Sequence, residues 1–196
     1  MMFSRSGLLS LVLAFSFSLA GCDDDDYREI PGNGGEDLPD PGEFHATVSG
    51  DIERDLKGTA FYEKMEDPAS DELFFFLNLA VTDSPGHSMW ASRGGARPAS
   101  GSYSILNLDM EDINDSWLFD HDRFAVWFID DPAGNVSMFL ADGGTMNIHR
   151  SHEDEVVGEF YVEATGFFLA DMDTPLKVEV RGAFDAKIGD IQPPDL

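Results

Sequence analysis

Glu159-Phe-Tyr-Val-Glu-Ala-Thr165 alternates apolar and polar side chains without a break. Phe160, Val162 and Ala164 share one side, and Glu159, Tyr161, Glu163 and Thr165 share the other. A period of two puts successive side chains on opposite faces of a strand, so this stretch reads as antiparallel sheet with one dry and one wet face. Lys177-Val-Glu-Val-Arg181 repeats the pattern. So does the run from Phe44, where Ala46, Val48, Gly50 and Ile52 interleave with Thr47, Ser49 and Asp51. Leu56 to Met65 gives a second strand across an Arg54-Asp55 turn, and Met146 and Ile148 mark a short strand near 144–150.

Two segments break the alternation. Leu73-Phe-Phe-Phe-Leu-Asn-Leu-Ala-Val81 and Phe124-Ala-Val-Trp-Phe-Ile129 are apolar on both faces, which implies cover on both. Asp130-Asp-Pro-Ala-Gly-Asn135 is turn-forming and joins 123–130 to 135–141 as a hairpin. The cover is expected from residues 106–119, where Leu106, Met110, Ile113 and Trp117 fall on one helical stripe. Asp109 would be the N-cap, with Leu108 and Ile113 at the hydrophobic-staple positions. The fold class that follows is mainly all-β: an antiparallel β-sandwich or partly closed β-barrel of about nine strands with one short helix.

A recurrence adds detail. Gly58-Thr-Ala-Phe61, Gly158-Glu-Phe160 and Gly182-Ala-Phe184 each place a Gly shortly before a Phe inside a strand. Strand glycines mark bulges, bends or close approach, so tight curvature is expected, with Phe filling the space beside each Gly.

The chain has 196 residues, 38 Asp or Glu against 12 Lys or Arg, and a formal charge of −26. Nucleic acid is excluded as a partner, because phosphate contacts need clustered Lys and Arg. Such a surface repels itself at low ionic strength and is screened by salt, which suits a saline setting. An ordinary acidic surface protein would carry the same signature.

The first 21 residues read as processing. Arg5, their only charged side chain, precedes an apolar run from Gly7 to Leu19 that is too short to span a bilayer. The run ends in Leu19-Ala20-Gly21-Cys22, the only Cys of the chain. This resembles the bacterial lipobox. The resemblance implies cleavage before Cys22, a diacylglycerol thioether on its sulfur and N-acylation, hence durable membrane anchoring. The covalent lipid is then the only group to be carried and no cofactor is expected; no thiol remains for a disulfide, a zinc site or a nucleophile. Removing residues 1–21 takes away one positive charge and leaves −27. Asp23 to Glu43 is rich in Asp, Glu, Gly and Pro and reads as a flexible acidic linker, holding the domain on the order of 25 Å from the membrane. The boundaries are 1–21 signal peptide, 22–43 lipidated Cys and linker, 44–188 β domain and 189–196 tail. In one lipoprotein sorting scheme an Asp after the lipidated Cys retains the chain at the inner membrane. In another an acidic run there directs it to the outer surface, and Asp23-Asp-Asp-Asp26 is closer to the second.

Gly144-Thr-Met-Asn-Ile148, Val157-Gly-Glu-Phe160 and Val180-Arg-Gly-Ala-Phe184 follow one another in a cadence similar to that of small bacterial envelope lipoproteins, and Gly101-Ser-Tyr-Ser-Ile105 resembles an earlier element of theirs. That resemblance implies an antiparallel β domain and no catalytic residues.

Candidate chemistry is sparse. Asp109, Glu111, Asp112 and Asp115 form the densest acidic cluster and are the metal candidates, for calcium. The sixth position from Asp109 is Asn114, where the EF-hand loop needs Gly, so acid at a helix start is the preferred reading. Asp120-His-Asp122 and Asp171-Met-Asp173 read as turns. His149 ends a strand and His152 sits in an acidic loop, which is short of the three or four converging ligands a zinc site needs. His45, His87 and His121 are isolated in sequence, and Trp90, Trp117 and Trp127 read as core or end-cap residues. No nucleophile elbow or phosphate loop occurs. The expected function is therefore a lipid-anchored envelope protein with a non-catalytic display or binding role. The alternatives are a lipocalin-like carrier, which requires an apolar cavity on the order of several hundred Å³, and an envelope hydrolase, which requires converging Asp, Glu or His.

Overall fold

The computed structural model describes residues 38–67, 70–82, 87–108, 118–130, 136–168 and 171–189. Nine strands follow in chain order: β1 (Glu43–Gly50), β2 (Arg54–Glu66), β3 (Leu73–Val81), β4 (Ser88–Gly94), β5 (Gly101–Ser104), β6 (Ala125–Asp130), β7 (Ser137–Ser151), β8 (Glu155–Phe168) and β9 (Asp171–Ile188). β1 to β4 form an antiparallel meander. β4 pairs with β6, and β6 to β9 continue the meander. β9 then returns to β1, antiparallel, with Phe44 opposite Phe184 and Val48 opposite Val180. Eight strands thus form a closed ring, and β5 is a ninth lying on β7 outside it.

The architecture is a closed barrel, not a sandwich or a partly closed one. Strand length and bulges explain why. β7, β8 and β9 span 15, 14 and 18 residues. Register shifts at Ala141/Gly143, Ile148/Arg150 and Phe167/Phe168 increase their local twist and bend them. A strand this long can serve two neighbours along one edge: Ser137–Leu140 of β7 pair with β6, and Thr145–Ile148 pair with β5. The C-terminal end of β9 likewise passes beyond β1 to bridge β2, parallel, at Phe61–Lys187 and Tyr62–Ile188.

The glycine–phenylalanine recurrence has a specific cause. Each inward glycine lies directly across from an inward phenylalanine of the neighbouring strand: Gly58 opposite Phe44, Gly158 opposite Phe184, Gly182 opposite Phe160, and Gly166 opposite Phe139. The ring therefore belongs to the next strand rather than to the strand that carries the glycine. A Cβ at Gly158 would stand 2.9 Å from the Phe184 ring, and one at Gly182 would stand 2.7 Å from the Phe160 ring. Glycine lets a large ring lie flat over the adjacent backbone, which is how a narrow barrel takes so many phenylalanines.

These rings and the aliphatic side chains fill the interior. Phe75, Phe124, Phe139, Phe184, Leu77 and Leu79 are essentially inaccessible to water. Tyr62 stacks on Phe75 at 5.5 Å, and Phe128 on Phe139 at 4.5 Å. One end is closed by Arg93, whose guanidinium lies 5.1 Å from the Tyr103 ring centroid. The Tyr62 hydroxyl also donates to the Glu153 carbonyl at 2.7 Å, tying β2 to the β7–β8 turn.

The helix expected over 106–119, with Asp109 as its N-cap, falls on 109–117, which lie outside the described residues; ahead of them the Leu106 and Leu108 amides donate to the Phe124 and Ala141 carbonyls. Two local expectations are revised. The first turn is Asp51–Glu53, and Arg54 and Asp55 already belong to β2. Asp171 to Asp173 open β9 instead of forming a turn. The Asp120 turn is present, its carboxylate accepting the Asp122 and Arg123 amides.

Candidate functional site

The ring of strands brings three residues together that no spacing in the sequence connects. Arg54 comes from the start of β2, His87 from the residue before β4 and Asp130 from the end of β6. Arg54 Nη1 lies 3.2 Å from Asp130 Oδ1, and His87 Nδ1 lies 3.0 Å from the same oxygen. Both His87 and Asp130 are buried, while Arg54 keeps 28% of its side chain accessible. They stand at the barrel mouth over a floor of Phe44, Phe128, Phe139 and Met89. Polar groups converging at the mouth of an apolar barrel are the usual form of a ligand pocket.

At this mouth the volume is too small for that use. The cavity beneath the cluster is about 20 Å³, room for about one water and not for a ligand. The space a carrier would leave open is taken by phenylalanine rings. The cluster works as a polar plug: a buried carboxylate is held by two donors, one of which reaches solvent.

A second charged cluster lies on the outer wall at the other end. Glu155 accepts from Lys187 and pairs with Arg150, and Asp185 lies 3.5 Å from Lys187 Nζ and 4.0 Å from Arg150 Nη2. The hydrogen bond from Lys187 holds the Glu155 carboxyl below its ordinary range, and the same bond raises Lys187. Burial, followed by repulsion from Glu155, pushes Asp185 up. The four groups tie β7, β8 and β9 together where the long strands curve.

The outer wall has two characters. On β8 and β9 most outward positions from Glu159 to Thr165 and from Lys177 to Arg181 are charged or hydrogen-bonded: Tyr161 donates to Glu163 at 2.8 Å, and Arg181 lies 4.5 Å over the Tyr161 ring. On β3, β4 and β6 the eleven outward positions hold no charged side chain. Phe76, Trp90 and Trp127 form a ladder there, with Trp90 and Trp127 stacked at 6.0 Å and Phe76 tilted against Trp127 at 5.9 Å. All three are half-buried. Trp90 and Trp127 are therefore wall residues that face outward, contrary to their reading as core or end-cap. The Asn78 amide oxygen, buried beside them, has no hydrogen-bond partner among the described residues.

The other sequence candidates are placed as follows. Cys22 and the metal candidates Asp109, Glu111, Asp112 and Asp115 lie outside the described residues, as does Trp117. His149 Nε2 stands 3.7 Å from Glu159 on the outer wall, and His152 lies in the β7–β8 turn. Among the described residues, no three His, Cys, Asp or Glu side chains converge as metal ligands. In the sequence Arg54 looks like part of a turn, His87 stands alone and Asp130 opens a turn-forming stretch, so nothing there connects the three. The signal that could have found Arg54 is its parity, since it continues the inward series of Leu56, Gly58, Ala60 and Tyr62. No family model, curated protein or solved structure matches this chain.

Proposed function

We propose that this chain is a lipid-anchored cell-envelope protein, held through Cys22, whose barrel is a solid scaffold for binding or display at its outer surface. The observation that carries the reading is the filled interior. The cavity beneath the Arg54–His87–Asp130 cluster has room for about one water and not for a cargo, which favours recognition at the wall. The sequence supports the anchor, with Leu19-Ala-Gly-Cys22 closing an apolar leader and the acidic stretch following it. The acidic run after Cys22 favours the outer membrane and its outer surface as the location.

A labelling experiment tests the anchor. Cells fed an alkyne fatty acid should label the wild-type chain, and Cys22→Ser should lose the label and leave the membrane fraction. An unlabelled wild-type chain sinks the reading. Fractionation of Asp23→Ser and protease shaving of intact cells test its location.

A carrier is the second reading, favoured by the closed ring of eight antiparallel strands. It requires stoichiometric binding of a fluorescent fatty acid, and the filled core leads us to expect none. Among the described residues, the buried pair a hydrolase would draw on is His87 and Asp130. Arg54 shares the same carboxylate oxygen, and the cavity beside them leaves no place for a substrate.

A further inference from the structure

We propose that Asp142-Gly143, at the bulge of β7, is a self-modification site, where the Gly143 amide attacks the Asp142 side chain and the folded chain isomerises to isoaspartate. Asp142 is the only aspartate in the sequence that is followed directly by glycine. Glycine matters there because no side chain crowds the approach of its amide to the neighbouring carboxyl group. The fold then sets this pair where the ladder is broken. Ala141 lies opposite Ala164, and pairing resumes with Gly143 opposite Glu163, so Asp142 is the extra residue and has no opposite number on β8. A Cβ at Gly143 would meet nothing within 4 Å, and Gly144 follows with a φ of 133°, a backbone state that favours glycine. Asp142 is exposed on the rim of an open groove of about 400 Å³, lined also by Ser49, Glu163, Lys177 and Glu179, so water reaches the reacting atoms.

The chemistry needs only the chain and water. A bond forms between Gly143 N and Asp142 Cγ, and one Cγ–O bond breaks. The departing oxygen takes the amide proton and a proton from solvent, and leaves as water. The Thr165 hydroxyl donates to Asp142 Oδ2 at 2.6 Å and so draws negative charge from the carboxyl group that has to lose an oxygen. The product is a five-membered succinimide. Water adding at Cγ restores aspartate. Water adding at the former main-chain carbonyl breaks its bond to Gly143 N, and the chain then runs through Cγ as isoaspartate. The main chain gains one carbon at a point that already holds an extra residue, so the pairs on either side keep their register.

The test ages the full chain for several weeks at neutral pH and physiological temperature, once folded and once in urea. Digests are mapped by mass spectrometry, and isoaspartate is read by methyl transfer from an isoaspartyl methyltransferase. Mapping separates residue 142 from Asn33-Gly34, a second pair of this reactive kind. The expected result is isoaspartate at position 142 in the folded chain, above every other aspartate of the β domain, through a species one water lighter. Gly143→Ala puts its methyl into open space, so it should fold with an unchanged thermal midpoint and slow the conversion by about tenfold. Conversion confined to the urea-treated chain overturns the proposal, because the bulge would then hold the pair unreactive. Folded-state conversion that Gly143→Ala leaves unchanged overturns it as well, and so does a folded chain that stays unmodified.

Discussion

At Gly182 one added methyl decides whether the Phe160 ring can lie across the strand. The Cβ would meet that ring at 2.7 Å and would also crowd the His45 carbonyl. Gly182→Ala is expected to cost about 1–3 kcal/mol in urea unfolding, the usual cost of overpacking, with part recovered by Phe160→Leu. Asp130→Ala removes the carboxylate between Arg54 and His87 and should cost about 3 kcal/mol, because buried His87 and partly exposed Arg54 lose a shared acceptor. The outer cluster predicts opposite pH behaviour at two neighbours. Glu155 has a lowered folded pKa, so its stabilisation is present above its unfolded pKa and is lost as pH falls through the folded one. Asp185 has a raised folded pKa, so its ionised form weakens the fold at neutral pH, and the penalty disappears as pH falls. Melts across pH should show Glu155→Gln less stable than wild type at neutral pH and Asp185→Asn more stable, both differences shrinking in acid. The Gly–Phe recurrence was legible because both partners sit inside strands. Arg54 was not, because a charged pair after an alternating run looks like a turn until the register of β1 on β2 is known.

Period-two alternation found β1, β2, β7, β8 and β9, and double apolarity singled out β3 and β6. The alternation carries a quantitative expectation within β3. Phe75 points inward with 1% of its surface exposed, and Phe76 points outward on the ladder. Phe75→Ala should cost about 3–5 kcal/mol by urea unfolding, while Phe76→Ala should cost about 1–2 kcal/mol, since part of its ring already meets water. Equal costs would mean that the two faces of β3 are equally buried. Double apolarity says that a strand is covered on both sides but not by what. The interior face is covered by the opposite wall, whereas the outer face is covered in part by its own ladder, and no single-strand pattern distinguishes these cases. The bulges of β7 were invisible for the same reason, since a bulge is a mismatch between two strands.

Closure of the barrel belongs to the whole molecule. Phe44 and Phe184 pair although 140 positions separate them, and nothing local in either strand signals the contact. Sandwich and barrel therefore stayed equivalent in the sequence. Net charge, in contrast, is legible directly and acts on the whole fold. The midpoint of thermal unfolding should rise between about 0.05 M and about 1 M KCl, as the Debye length shrinks from over 10 Å to about 3 Å. A flat or falling midpoint would mean that the carboxylates are spaced widely enough in the folded chain to ignore one another, and the saline reading would go with it.

The β1–β9 seam also sets the order of events in folding. A chain made from its N-terminus presents β1 first and must hold that strand with one edge unsatisfied until β9, the last strand, arrives. Loop closure of this length comes late and slowly, and until then the half-built sheet offers two open edges to other chains. The protein therefore depends on its final twenty residues for its first strand. Loss of β9 would be felt at the far end of the sheet's sequence, in β1.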